Sequence, residues 1–441
     1  MMETKLTRIA EIAKAKPNER FTSLAHLLDK QMLWGCHLEL PANKATGMDK
    51  VTKEVYEKNL EENLDDLLTR LKRKGYRPQA SRRTYIPKDE KSKRPLGIPS
   101  YEDKIVQRGM SKILQAIYEQ DFMNFSYGFR PGRGQHDALK ELDQMMMRNP
   151  VHYVVDADIR GFFNHVDHGW LMEFLKHRIA DPTLLLYINR FLKAGLIEDG
   201  QYEETEEGTP QGGLISPVLA NVYLHYALDL WFEKAVKRGC QGYSGMVRYA
   251  DDFVCCFERK EDAERFYTAL VERLGKFGLE IAEEKTKIIR FGRRAEIACK
   301  NVGLKKPQTF DFLGFTHYWG KGKAGRHRLM RKTSAKKFRT KVKEFRMWIQ
   351  ANRHMTEEEL VTTVRRKLQG HYNYYGVSDN YHSMMKYYHM VLHLIHKWRN
   401  RRSQKGTYTY EKLHLFKERN LLPLPQIRVN LFASMQPVRT L

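Results

Sequence analysis

The chain has 441 residues, 41% hydrophobic and 11% aromatic, which suits two or three packed domains with real cores. Its formal net charge of +24 points to a polyanionic partner, because each Lys or Arg set on a phosphate releases counterions. Five cysteines without a CxxC pair argue against a disulfide framework or a zinc ribbon, and no apolar run reaches the ~18 residues of a membrane span.

Met1 to Asn18 lacks the apolar core of a signal peptide, so a soluble, cytoplasmic chain is expected. Met1 to about Pro41 has helix-like apolar spacing, and Asn43 to Asp49 breaks it with turn formers. A second helical stretch covers Val55 to Lys74. Arg82 to Lys88 alternates as a strand, Asp89 to Lys93 is a charged turn, and Arg94 to Pro99 returns: a β-hairpin basic on both arms. Asp103 to Gln120 reads as a helix, and Phe129 to Gly134 as a basic, Gly-rich turn.

Val151 to Asp158 reads as a strand ending in acid. Ser216-Pro217 opens a helix to about Trp231, with Ser216 as its cap. Val247 to Phe257 reads as two short strands meeting at Asp251-Asp252, Ala263 to Phe277 as an amphipathic helix, and Phe310 to Phe315 as one short strand. Beyond Gly320 basic helices are expected, and that segment holds 27 Lys and Arg against 7 Asp and Glu, a net of +20. Ser334 caps a helix with Phe338, Val342, Phe345 and Ile349 on one face. Thr356 to Glu359 has capping-box spacing, and a last helix runs from about Tyr381 to Asn400.

The chemistry is read from Tyr249-Ala250-Asp251-Asp252. Two adjacent carboxylates at a hairpin tip repel, and a divalent cation resolves the conflict. Asp158 closes another strand. Three carboxylates on neighbouring strand ends suit two hard, oxygen-seeking Mg²⁺ ions, the arrangement that lets a 3′-OH attack an α-phosphate and expel pyrophosphate. Asp156, on the same strand face, is read as structural.

These motifs together resemble the bacterial group II intron reverse transcriptases, or maturases, from about Asn43 to Arg428. In order they are Gly47-Met48-Asp49, Ile86-Pro87-Lys88, Arg94 to Pro99, Tyr127 to Pro131, Asp158 with Phe162-Phe163, Gly208 to Gly213, Ser216 to Asn221, Tyr249 to Asp252, Glu284 to Lys287, and Phe312 to Phe315. Asn164 departs from the Asp often found after the aromatic pair. The resemblance implies an α+β right-hand polymerase followed by an all-α basic thumb. The expected divisions are 1–42, an N-terminal helical extension; 43–150, fingers; 151–319, palm; and 320–441, thumb or maturase domain, with no endonuclease domain.

It also implies roles. Asp158, Asp251 and Asp252 would be catalytic, with Ile159 joining them around two Mg²⁺ ions, Mn²⁺ being a substitute. Lys88 and Arg94 would hold the incoming triphosphate, with Phe163 as the steric gate under the ribose. Gln211 would contact the nucleotide and Lys285 the β- and γ-phosphates. Arg130 and Arg133 would touch the template, Gly314 the primer, and Lys336, Lys337, Lys341 and Lys343 a duplex. The partners expected are intron or other template RNA, a DNA primer or target, and deoxynucleoside triphosphates. A domesticated reverse transcriptase in defence or repair, or a polymerase-silent RNA-binding splicing factor, remains the alternative.

Overall fold

The computed structural model describes residues 2–87, 93–209, 212–301, 303, 306–322, 325, 327–401 and 408–432. The described strands, in chain order, are β1 (Ser81–Pro87), β2 (Lys93–Ile98), β3 (Tyr153–Asp158), β4 (Leu196–Glu198), β5 (Gln201–Glu203), β6 (Ser244–Tyr249), β7 (Asp252–Phe257), β8 (Lys287–Arg290), β9 (Phe310–Phe312), β10 (Phe315–Lys321) and β11 (His327–Thr333). They form three sheets, ordered β2-β1-β4-β5, β6-β7-β3-β8 and β11-β10-β9.

The central sheet is buried on both faces, and its side chains sort by the period of two. Val155, Ala157, Phe253, Cys255 and Phe257 face one core, shared with the helices Lys30–Glu39, Leu60–Lys72, Tyr101–Tyr118 and Ser216–Leu224. Val154, Val247, Val254, Cys256 and Ile289 face a second core, built with Gln135–Arg148, β9 to β11 and the C-terminal helices. Asp156 and Asp158 follow Val154 on the second side, as Asp252 precedes Val254. The period alone therefore turns these carboxylates toward β9 and β10 rather than toward the helical core.

Several elements match the sequence reading. Ser334 caps Ala335–Ala351 by accepting from the Lys337 N–H. Thr356 and Glu359 exchange both capping-box bonds at the start of Glu357–Tyr375, and Tyr381–Asn400 is a helix. Others differ. The first 41 residues divide into Met2–Ala15, a single turn at Ala25–Leu27 and Lys30–Glu39. Ser216 is the first helical residue and Ile215 the cap. That helix widens to a five-residue repeat over His225–Asp229 and again over Phe232–Val236.

Phe310 to Phe315 is a hairpin turn rather than one strand. Phe312 pairs with Phe315, and Leu313 and Gly314 between them have φ of 51° and 79°. Two positive values are what a tight hairpin loop demands, and leucine is strained there. Position 320 is also no boundary between sheet and helix. β10 runs on to Lys321, and β11 follows, its inward Leu329, Arg331 and Thr333 alternating with outward Arg328, Met330 and Lys332. The wholly helical part begins at Ala335. Among the described residues no helix is long and apolar enough to cross a membrane.

Candidate active site

β6 and β7 are joined by two residues, with Tyr249 opposite Asp252 and Ala250 at φ 57°. A non-glycine residue held at positive φ is strained, so the surroundings must fix it. They do so from two sides. Gly128 lies so close that an added Cβ would stand 2.3 Å from the Ala250 nitrogen. Asn221 donates its amide to the Gly128 carbonyl at 2.7 Å.

Arg248 is fully buried below the turn and donates to the Ala250 carbonyl at 2.9 Å and to the Asn221 side-chain oxygen at 3.1 Å. Its other face grips both carboxylate oxygens of Asp229, also fully buried, on the first widened helical turn. Sequence reading missed Arg248, Asp229 and Asn221. An arginine inside an otherwise apolar strand, next to an acidic pair, was the available signal.

β3 runs antiparallel beside β7 with Asp158 directly opposite Asp252. Burial first, then the Asp156 and Asp251 carboxylates, pushes Asp252 up to about 8, against a hydrogen bond from the Leu313 N–H. Burial also raises Asp251, with Asp158 adding to it and Arg94 opposing it. Asp156 is pushed up to about 7 by burial, then by Asp311 and Asp158, while Lys287 opposes. Repulsion among these crowded carboxylates thus adds to burial in raising Asp156, Asp251 and Asp252.

Hard oxygen donors under such repulsion fit a divalent cation. Among the described residues no three of them yet converge into a ready cage. Instead Lys285 places its ammonium 2.5 Å from the Asp158 carboxylate. Ile159 is buried and bridges Ile281.

The remaining expectations fall unevenly. Arg94 is exposed on β2, opposite Ile86, and acts electrostatically on Asp251. Lys88 and Gln211 lie outside the described residues, as does most of the Asp89 to Lys93 turn. Phe163 is partly buried beside Phe162. It lines a cavity of about 420 Å³ with Pro95, Leu96 and Gly97 of β2 and with Thr209. Gly212 packs against the same strand: a Cβ there would stand 2.5 Å from the Gly97 carbonyl oxygen. Lys285 is paired with Asp158 rather than left free for the phosphates expected of it.

Arg130 is a correction. It is buried and donates to Glu119 at 3.0 Å and to the Met123 and Ser126 carbonyls at 2.8 Å, so its charge is committed inside the fold and not to a template. Arg133 donates to the Asn124 carbonyl at 2.6 Å but stays partly exposed. Gly314 forms the β9–β10 turn whose Leu313 N–H reaches Asp252. Lys336, Lys337 and Lys343 are exposed, and Lys341 pairs with Glu344 at 2.8 Å.

This is a palm-type arrangement, acidic strand ends on a four-stranded sheet backed by helices. The sequence profile of the family described as reverse transcriptase (RNA-dependent DNA polymerase) matches residues 86–317, the segment that holds all of these aspartates. The group II intron-encoded protein LtrA of Lactococcus lactis subsp. cremoris is 28% identical, over 86% of this chain and 74% of its own. Protein YkfC of Escherichia coli K12 is 35% identical, over 47% of this chain and 62% of its own. Nuclear intron maturase 4 of Arabidopsis thaliana is 27% identical, over 31% of this chain and 17% of its own. The chain belongs to the reverse transcriptase family.

Proposed function

We propose that the protein is an RNA-directed DNA polymerase that adds deoxynucleotides to a primer 3′-OH on an RNA template, and that it assists the splicing and retrohoming of a group II intron RNA. The observation that carries the enzymatic part is the register that sets Asp158 against Asp252 with Asp251 at the adjoining tip. In this reading these three side chains, with Ile159, hold two Mg²⁺ ions, or Mn²⁺ in their place. Bound there, the ions would lower the pKa of the attacking hydroxyl and neutralise the leaving phosphate.

The protein's own groups would do the rest. Arg94 and Lys88 grip the triphosphate, Arg by its fork and Lys as a point charge. Phe163 closes the space below the sugar, Gln211 borders the nucleotide, and Lys285 leaves Asp158 for the phosphates. The Leu313-Gly314 turn holds the primer end beside Asp252, and Arg133 borders the template. Lys336, Lys337, Lys341 and Lys343 lie along the duplex as part of a thumb. The splicing role is supported by what the relatives are called, a group II intron-encoded protein and an intron maturase.

Primer extension on an RNA template tests the reading. Deoxynucleotides with Mg²⁺ should give full-length product, and ribonucleotides little. No extension with either set, by protein that binds the primer–template, would overturn it.

A further inference from the structure

A cavity of about 500 Å³ opens beside Gly314, between that turn and the helices Ala335–Ala351, Glu357–Tyr375 and Tyr381–Asn400. Its size is that of a small-ligand site. The floor is aromatic. His371 stacks on Tyr387 with ring centres 3.9 Å apart, and Tyr375 lies 4.7 Å from the imidazole. The rim is cationic: Lys337, Lys341 and Lys367 line it, against the single carboxylate of Glu344.

His371 is only 7% exposed, and its Nε2 has no hydrogen-bond partner among the described residues. Burial, then the Lys341 charge, holds the imidazole down to about 3, so it is neutral near pH 7. A buried polar atom without a partner is unfavourable, and a ligand that bonds it relieves the cost. Gly370 stands on the same wall, exposed, with nothing within 4 Å of where a Cβ would sit.

Cations above stacked rings, with the partnerless His371 Nε2 in the wall, match a nucleotide: phosphate outside, planar base within. We infer that this cavity takes one nucleotide unit of the strand passing the Gly314 turn. Its phosphate lies on Lys337, Lys341 and Lys367, and its base edge bonds His371 Nε2. The inference rests on the polymerase reading and adds a site to it. A free nucleoside monophosphate has the same chemistry, so the test must separate the two.

The full chain is titrated with a labelled DNA primer on an RNA template, an abasic unit replacing each primer position in turn. One position should weaken wild-type binding about fivefold to tenfold, the loss of one buried hydrogen bond and its stack. His371→Phe keeps the ring and removes Nε2. It should show a comparable loss on intact primer and a diminished response at that position. Gly370→Leu, at an exposed site, should close the mouth and flatten the profile too. It keeps the test standing if His371→Phe melts early.

A flat abasic profile in wild type, or both variants binding and responding as wild type, overturns the site. So does a profile flattened by excess deoxynucleoside monophosphate while the duplex stays bound, which would assign the cavity to free nucleotides. Wild-type extension is measured on the same duplex. Its failure sinks the polymerase reading, whereas extension with a flat profile sinks only the cavity.

Discussion

At the β6–β7 tip, Asp251 and Asp252 are held side by side, partly buried, on a turn strained at Ala250 and pinned from below by Arg248. Along Ala335–Ala351, six Lys and Arg side chains stand on a helix whose Phe345 and Ile349 are its buried anchors. The first region concentrates like charge at a point and needs a buried ion pair, a close glycine and a widened helix to hold it there. The second spreads charge over solvent and needs only an amphipathic stripe. Charge at a defined point demands long-range scaffolding; charge density does not. The substitutions below try to break that contrast.

The largest effect is expected at the tip. Asp252→Asn should lower primer extension roughly a thousandfold, since several kcal/mol of charge stabilisation go with the carboxylate. The same change should raise the melting temperature of metal-free protein, because it removes a carboxyl group that burial and its acidic neighbours make costly to ionise. Single-turnover extension and thermal melts check both. A metal-free protein that melts lower would mean that Asp252 is not under repulsion.

Arg248→Met comes next. It strands Asp229 and frees the Ala250 carbonyl, costing about 3–5 kcal/mol of stability. A tip displaced by about 1 Å should slow extension up to roughly a hundredfold. Affinity for primer–template should hold, because no basic surface changes. Arg248→Lys keeps the charge without the fork and should fall between. If both variants extend at the wild-type rate, the network supports the fold without positioning the turn.

Phe163→Val should have a smaller and more selective effect. By opening the space under the sugar it should reduce the deoxy-to-ribo ratio of kcat/KM about tenfold or more. An unchanged ratio would make Phe163 a core residue and put the gate elsewhere.

The sequence made the tip legible because its logic is local: alternating apolar residues, a two-residue break and acids at the break. The capped helices were legible for the same reason. The scaffold was not, because its partners are distant. Arg248 meets Asp229 and Asn221 on the helix that precedes its strand, 19 and 27 positions away. Arg331 on β11 is buried only because Asp143, 188 positions away, takes its charge. Read alone, the basic run of β11 looks like exposed helix. Arg130 misled in the opposite direction: in a basic, Gly-rich turn it looks free, yet Glu119 and two carbonyls hold it. Leu313 hid its turn because leucine rarely adopts positive φ.

The contrast is tested most directly by measuring extension and binding together on one RNA-templated primer. The proteins are wild type, Asp251→Asn, and a variant with Lys336, Lys337, Lys341 and Lys343 all changed to Gln. Asp251→Asn should lose extension and keep affinity. The lysine variant should keep the single-turnover rate at saturating primer–template. Its plot of log affinity against log salt should be shallower, by roughly 0.7 to 0.9 for each phosphate that is no longer neutralised. An Asp251→Asn enzyme that extends at the wild-type rate, or a lysine variant whose salt slope is unchanged, would contradict the account.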